Sequence, residues 1–118
     1  MRNRIIVALF CILSSQSFSQ GNILVGTTTV EVDTIMSGLD IPWEIIYGPD
    51  GHIWTTERKG IVSRIDPIAK TKTVILDIVS LVYQNSESGL LGMALHPDFA
   101  TTPEVFLAYT YGSFSNIK

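Results

Sequence analysis

The stretch from Val30 onward predicts an all-β fold, and three observations carry that reading. Apolar and β-branched residues come in short runs, with no stripe at helical spacing. Clusters of glycine, proline and aspartate separate the runs. Four runs fit between Trp43 and Ile78, close to the roughly 40 to 45 residues that build one four-stranded blade of a β-propeller.

Taken in order, Val30 to Ile35 alternates apolar and acidic residues, as a half-buried strand does. Trp43 to Tyr47 is an aromatic and β-branched run, favoured on a pleated surface. Gly48-Pro49-Asp50-Gly51 forces a tight turn, because Pro presets one backbone angle and Gly accepts a positive one. His52 to Glu57 is the return strand, Lys59-Gly60 a second turn, and Ile61 to Ile65 a third strand ended by Asp66-Pro67. Lys72 to Ile78 is the fourth strand. After a longer connection from Val79 to Ser88, Leu90 to Leu95 and Val105 to Tyr109 begin a second unit, and His96-Pro97-Asp98 echoes the earlier turn. Six or seven strands would equally suit a β-sandwich, which needs about seven in roughly 100 residues, so spacing leaves both architectures open.

The first residues stand apart. Arg2 and Arg4 precede an apolar run from Ile5 to Leu13, then a small polar stretch with Ser17-Phe18-Ser19. That is the pattern of a secretory signal peptide over residues 1–19, cleaved before Gln20. The run is too short to span a bilayer, which takes about 20 residues, and no later stretch is long and apolar enough to do so. Residues 20–118 are the expected mature segment, exported to the periplasm or the medium.

Composition excludes several kinds of chemistry. Cys11, the sole cysteine, falls inside the leader, so the mature segment has no disulfide, thiolate nucleophile or Cys/His zinc site. Setting aside Arg2 and Arg4 reduces eight basic residues to six against eleven acidic ones, which moves the formal charge from −3 to −5 and argues against nucleic acid as a partner. G-x-S-x-G, G-x-G-x-x-G and P-loop patterns are absent, as is a dense acidic calcium loop. The last apolar strand, Phe106 to Tyr111, is followed only by Gly112 to Lys118, with no later strand for it to pair with. The segment therefore reads as the first one and a half to two blades of a longer propeller, with unpaired strand edges.

Three segments carry a family likeness: Gly38-Leu39-Asp40-Ile41-Pro42-Trp43-Glu44 leading into Tyr47 to Trp54, then Thr56-Glu57-Arg58 with Gly60 to Ile65, then Glu87-Ser88-Gly89-Leu90-Leu91-Gly92-Met93-Ala94-Leu95-His96-Pro97-Asp98-Phe99. Their order and spacing resemble the glucose/sorbosone dehydrogenase family. The resemblance implies a six-bladed propeller that binds pyrroloquinoline quinone (PQQ) and calcium. It also implies oxidation of the C1 hydroxyl of an aldose to a lactone by hydride transfer to the quinone, with an external electron acceptor and a homodimer among its compatible assemblies. The general-base histidine is expected beyond residue 118, so this segment would hold no catalytic residue and be inactive alone. The alternative is a non-enzymatic propeller of the same fold, a ligand- or protein-binding module, since fold does not dictate function.

One cofactor-site position carries over. Glu87 stands two residues before Gly-Leu-Leu-Gly, where soluble glucose-oxidising members resembling this chain have an active-site glutamine. A carboxylate beside an anionic quinone must bear repulsion, take a proton or sit near a cation. The other polar residues have structural readings. His96 and His52 belong to turns, and Asp50, Asp66 and Asp98 cap their own turns. Glu57 and Arg58 form a surface pair, with Arg58 and Lys59 the alternative holders of cofactor carboxylates. Trp43 and Trp54 pack between sheets.

Overall fold

A computed structural model describes residues 21–113 and 115–118. The expected leader, with Cys11, lies outside the described residues. The chain divides into two units, Met1–Asp33 and Thr34–Lys118. In the first, β1 (Gly21–Val25) pairs antiparallel with β2 (Thr28–Val32) across a two-residue turn. The predicted strand from Val30 therefore starts two residues earlier, has an unforeseen partner, and ends before Ile35. Every residue of this hairpin is exposed.

The second unit opens with a four-stranded antiparallel sheet in sequence order: β3 (Pro42–Tyr47), β4 (Ile53–Glu57), β5 (Ile61–Asp66) and β6 (Thr71–Asp77). The order follows from the turns. Gly51 N donates to Gly48 O at 3.0 Å and Gly48 N to His52 O at 2.8 Å, while Gly51 takes φ 73°, the left-handed conformation that closes a three-residue hairpin loop. Further on, Gly60 N donates to Glu57 O at 2.9 Å. At the β5–β6 turn, Asp66 Oδ1 accepts from the amides of Ile68 and Ala69 at 2.8 and 2.9 Å, as expected of an aspartate that caps its own turn.

The hairpin of β7 (Leu90–Leu95) and β8 (Val105–Tyr109) packs its first strand against β3 and β4. Trp54, Val62, Leu90 and Met93 form the buried core, with Ile46, Val82, Leu95, Phe99, Val105 and Leu107 around them. Trp54 meets Phe99 edge-on, ring centroids 5.6 Å apart. Each such side chain contributes about 1.5–3 kcal/mol by leaving water. The central strands β4 and β5 are mostly buried, whereas β6 is exposed throughout.

One expectation needs correction here. Trp43 does not pack between sheets but is 45 % exposed. It lies in the bulged start of β3, between Pro42 and Ile45, outside the core that Ile46 joins beside its cross-strand partner Trp54. Among the described strands β8 pairs with β7 alone, and after it β9 (Gly112–Ser113) and β10 (Asn116–Ile117) form a small hairpin with one another, closed by reciprocal bonds between Tyr111 and Lys118 at 2.9 and 3.0 Å.

Candidate functional site

The four-stranded sheet has two ends of different chemistry. One holds the β3–β4 turn. There Asp50 accepts from Arg64 Nε at 2.7 Å, from Trp54 Nε1 at 3.2 Å and from the His52 amide at 3.3 Å. Burial pushes the Asp50 carboxyl up, but those donors and the Arg64 charge together hold it below its usual range. The His52 ring lies 2.8 Å from the Asp50 carbonyl and 3.0 Å from Arg64 Nη2. His96 likewise serves its own turn, its Nδ1 accepting from the Asp98 amide at 3.1 Å. The Asp98 side chain takes the Thr101 hydroxyl.

The other end gathers the start of β3, the Glu57–Gly60 turn and the connection into β7. Three consecutive residues organise it. Thr56, fully buried, accepts from Glu44 N at 3.1 Å and donates to Leu91 O at 3.2 Å. Both partners lie where strand register shifts by an extra residue, in β3 between Pro42 and Ile45 and in β7 between Leu90 and Gly92. One hydroxyl thus spans two β-bulges, a device common beside active sites.

Glu57 is next. The expected surface pair with Arg58 is not formed: Glu57 is buried, and its carboxylate takes Asp40 N at 2.9 Å, Lys72 Nζ at 3.0 Å and Lys59 Nζ at 3.5 Å. Consecutive strand residues point to opposite faces, so neighbours in sequence do not meet. Burial raises the Glu57 carboxyl, and the Asp40 amide with the two ammonium groups outweighs it, leaving the group below its ordinary range. Lys59 is held charged above its ordinary range by its bond to Asp40.

Arg58, the third, reaches the connection that carries Glu87. Its Nη1 donates to Ser86 O, and its backbone carbonyl accepts from Leu90 N at 2.8 Å. Gly89 is pressed against it: a Cβ there would stand 2.4 Å from Arg58 Cγ and 2.5 Å from its carbonyl oxygen, and φ is 153°. Only glycine fits. From the other side Thr110 grips the same connection, accepting from Gly89 N at 2.8 Å and donating to Tyr83 O at 2.7 Å. Asn85 and Ser88 close the turn between them.

Glu87 is exposed on this clamped turn, as are Asn85 and Ser86 beside it. Its neighbour Ser86 has φ 51°, and Ile41, whose carbonyl accepts Arg58 N at 3.0 Å, has φ 52°. A β-branched residue there is strained, and such strain persists only where surroundings over-determine it, which happens most at ligand sites. Sequence reasoning picked out Glu87 and quoted Thr56-Glu57-Arg58 without assigning it these contacts. Thr110 carried no signal.

PQQ is an anionic quinone, so cations decide whether this end suits it. Lys59 and Lys72 are committed to Asp40 and Glu57. The Arg58 guanidinium is not paired with a carboxylate among the described residues, and its buried Nε has no hydrogen-bond partner. This end therefore presents an exposed turn that carries Glu87 and, bonded to the preceding residue Ser86, a guanidinium without a carboxylate partner among the described residues. No group of three or more acidic, histidine or cysteine side chains fit for a metal occurs among the described residues.

A blade-sized four-stranded antiparallel sheet followed by the opening hairpin of a second unit is part of a β-propeller. The chain belongs to the glucose/sorbosone dehydrogenase family, whose model matches residues 39–116. It is 35% identical over 86 residues to quinoprotein glucose dehydrogenase B of Acinetobacter calcoaceticus, a match covering 71% of this chain and 17% of that protein. The PQQ-bound aldose sugar dehydrogenase of Streptomyces coelicolor superposes with a TM-score of 0.62 at 28% identity, over 74% of this chain and 25% of that one. Hedgehog-interacting protein of mouse is 31% identical over 86 residues, covering 67% of this chain and 12% of that protein. The segment thus spans about a quarter or less of the length of these relatives.

Proposed function

We propose that the full-length protein is a PQQ-dependent dehydrogenase that oxidises the C1 hydroxyl of an aldose to a lactone. The observation that carries this reading is the clamped, strained turn presenting Glu87, inside a segment that matches the family model and a structure solved with PQQ. When bound, the quinone supplies the two-electron acceptor. This chain's residues do the holding: Thr56 fixes the two bulges, Arg58 and Thr110 fix the connection, and Glu87 offers carboxylate oxygens to the substrate or cofactor edge. A histidine beyond residue 118 takes the hydroxyl proton as general base. Calcium, an external electron acceptor, export through a leader over residues 1–19, and a periplasmic or extracellular location complete the proposal.

A second reading, a binding module that has lost the chemistry, is favoured by the similarity to a relative named for an interaction. One assay separates the two. Full-length apoprotein supplied with PQQ and calcium should reduce dye in the presence of aldoses. Folded protein with no quinone binding and no turnover on a panel of sugars would leave the binding module.

A further inference from the structure

We infer that Arg58 is a positioning residue for the Glu87 site, an inference that rests on the dehydrogenase reading above. Arg58 sits at the end of β4 and grips the connection on both sides of Glu87. Before it, the guanidinium bonds the Ser86 carbonyl, and after it, the Arg58 carbonyl receives Leu90 N at 2.8 Å. Between these points Gly89 lies so close that Arg58 Cγ and O occupy the place of a side chain, at 2.4 and 2.5 Å from an ideal Cβ. Glu87 is thereby held on a turn whose residue 86 stays in the left-handed region, at φ 51°. A strained conformation of this kind relaxes once its restraints are removed.

Charge points the same way. Of the cations at this end, Lys59 and Lys72 are committed to Asp40 and Glu57, whereas no described carboxylate pairs with Arg58 and its buried Nε lacks an acceptor. A buried donor without an acceptor is costly. Retained here, it keeps a positive charge bonded to the Ser86 carbonyl, one residue before Glu87, where it offsets repulsion between Glu87 and an anionic quinone. Arg58 has no contact with substrate assigned to it and acts through the turn. Lysine would keep the charge but not the planar fork that spans to Ser86.

The test is a double-mutant cycle in the full-length protein, reading the PQQ dissociation constant of the apoprotein by titration, kcat and KM for an aldose, and Tm. The variants are R58A, E87Q and the pair. R58A alone should weaken PQQ binding roughly tenfold, the scale on which outer supports of a site act. In the E87Q background the same change should cost less than about threefold, because residues acting through one another are not additive. Equal losses in both backgrounds, or a change in Tm alone, would overturn the inference. If R58A does not fold, R58K carries the same cycle and should show the same non-additivity. Wild-type protein that binds no PQQ sinks the dehydrogenase reading itself, and Arg58's role with it, an outcome already distinguishable before any variant is made.

Discussion

The two ends of the four-stranded sheet are built from similar side chains and use them differently. At the β3–β4 turn, Asp50, His52, Trp54 and Arg64 bond one another, and the Asp50 carboxylate receives three kinds of donor. At the opposite end Glu57 is equally engaged, but Glu87 is exposed, Arg58 Nε has no partner, and Ile41 and Ser86 hold left-handed backbone. A histidine or aspartate at a turn is therefore no guide to function by itself. What separates the ends is the clamped, left-handed turn and the unpartnered Arg58 Nε at the second.

The comparison can be broken at its shared support. Leu90, fully buried, begins β7 beneath the clamped connection and belongs to the core with Trp54 and Val62. Leu90→Ala should destabilise the full-length protein most, by about 2–5 kcal/mol in urea unfolding. A loss under about 1 kcal/mol would mean the hairpin is not packed as described.

A smaller effect sharpens the structural end. Asp50→Ala should cost about 1–3 kcal/mol at neutral pH, since it leaves Arg64 and the buried Trp54 N–H without their acceptor. The folded carboxyl lies below its ordinary value of 3.8, so its stabilisation is present above that value and is lost as pH falls through the folded pKa. Wild type and Asp50→Ala should therefore converge in stability under acid. A gap that persists at pH 2 would assign the effect to packing instead.

Much of the sheet was legible because its turns are chemically explicit. Gly48 to Gly51, Lys59-Gly60 and Asp66-Pro67 bounded β3 to β6 to within a residue or so. The β1–β2 hairpin was missed because Gly21 to Val25 follows directly on the leader pattern and carries no alternation. Trp43 was misjudged because its hydrophobicity is visible in the sequence but the face it takes is not. The end with Glu87 was legible only in part. Glu57 meets Lys72 and Asp40 across 15 and 17 residues, and Thr56 reaches Leu91 across 35. Contacts of that range depend on strand register, which three irregularities shift, and local pattern does not encode it.

The smallest change in stability is expected at Glu87, the residue on which the proposed site turns. Glu87→Gln should move the unfolding free energy by less than about 0.5 kcal/mol, as expected of an exposed side chain. The most direct test of the account is the PQQ affinity of that same variant, titrated into full-length apoprotein beside wild type. A clear change in affinity, with Tm intact, is the predicted result. Identical affinity and turnover in the two proteins would contradict the assignment of this end of the sheet to the quinone site.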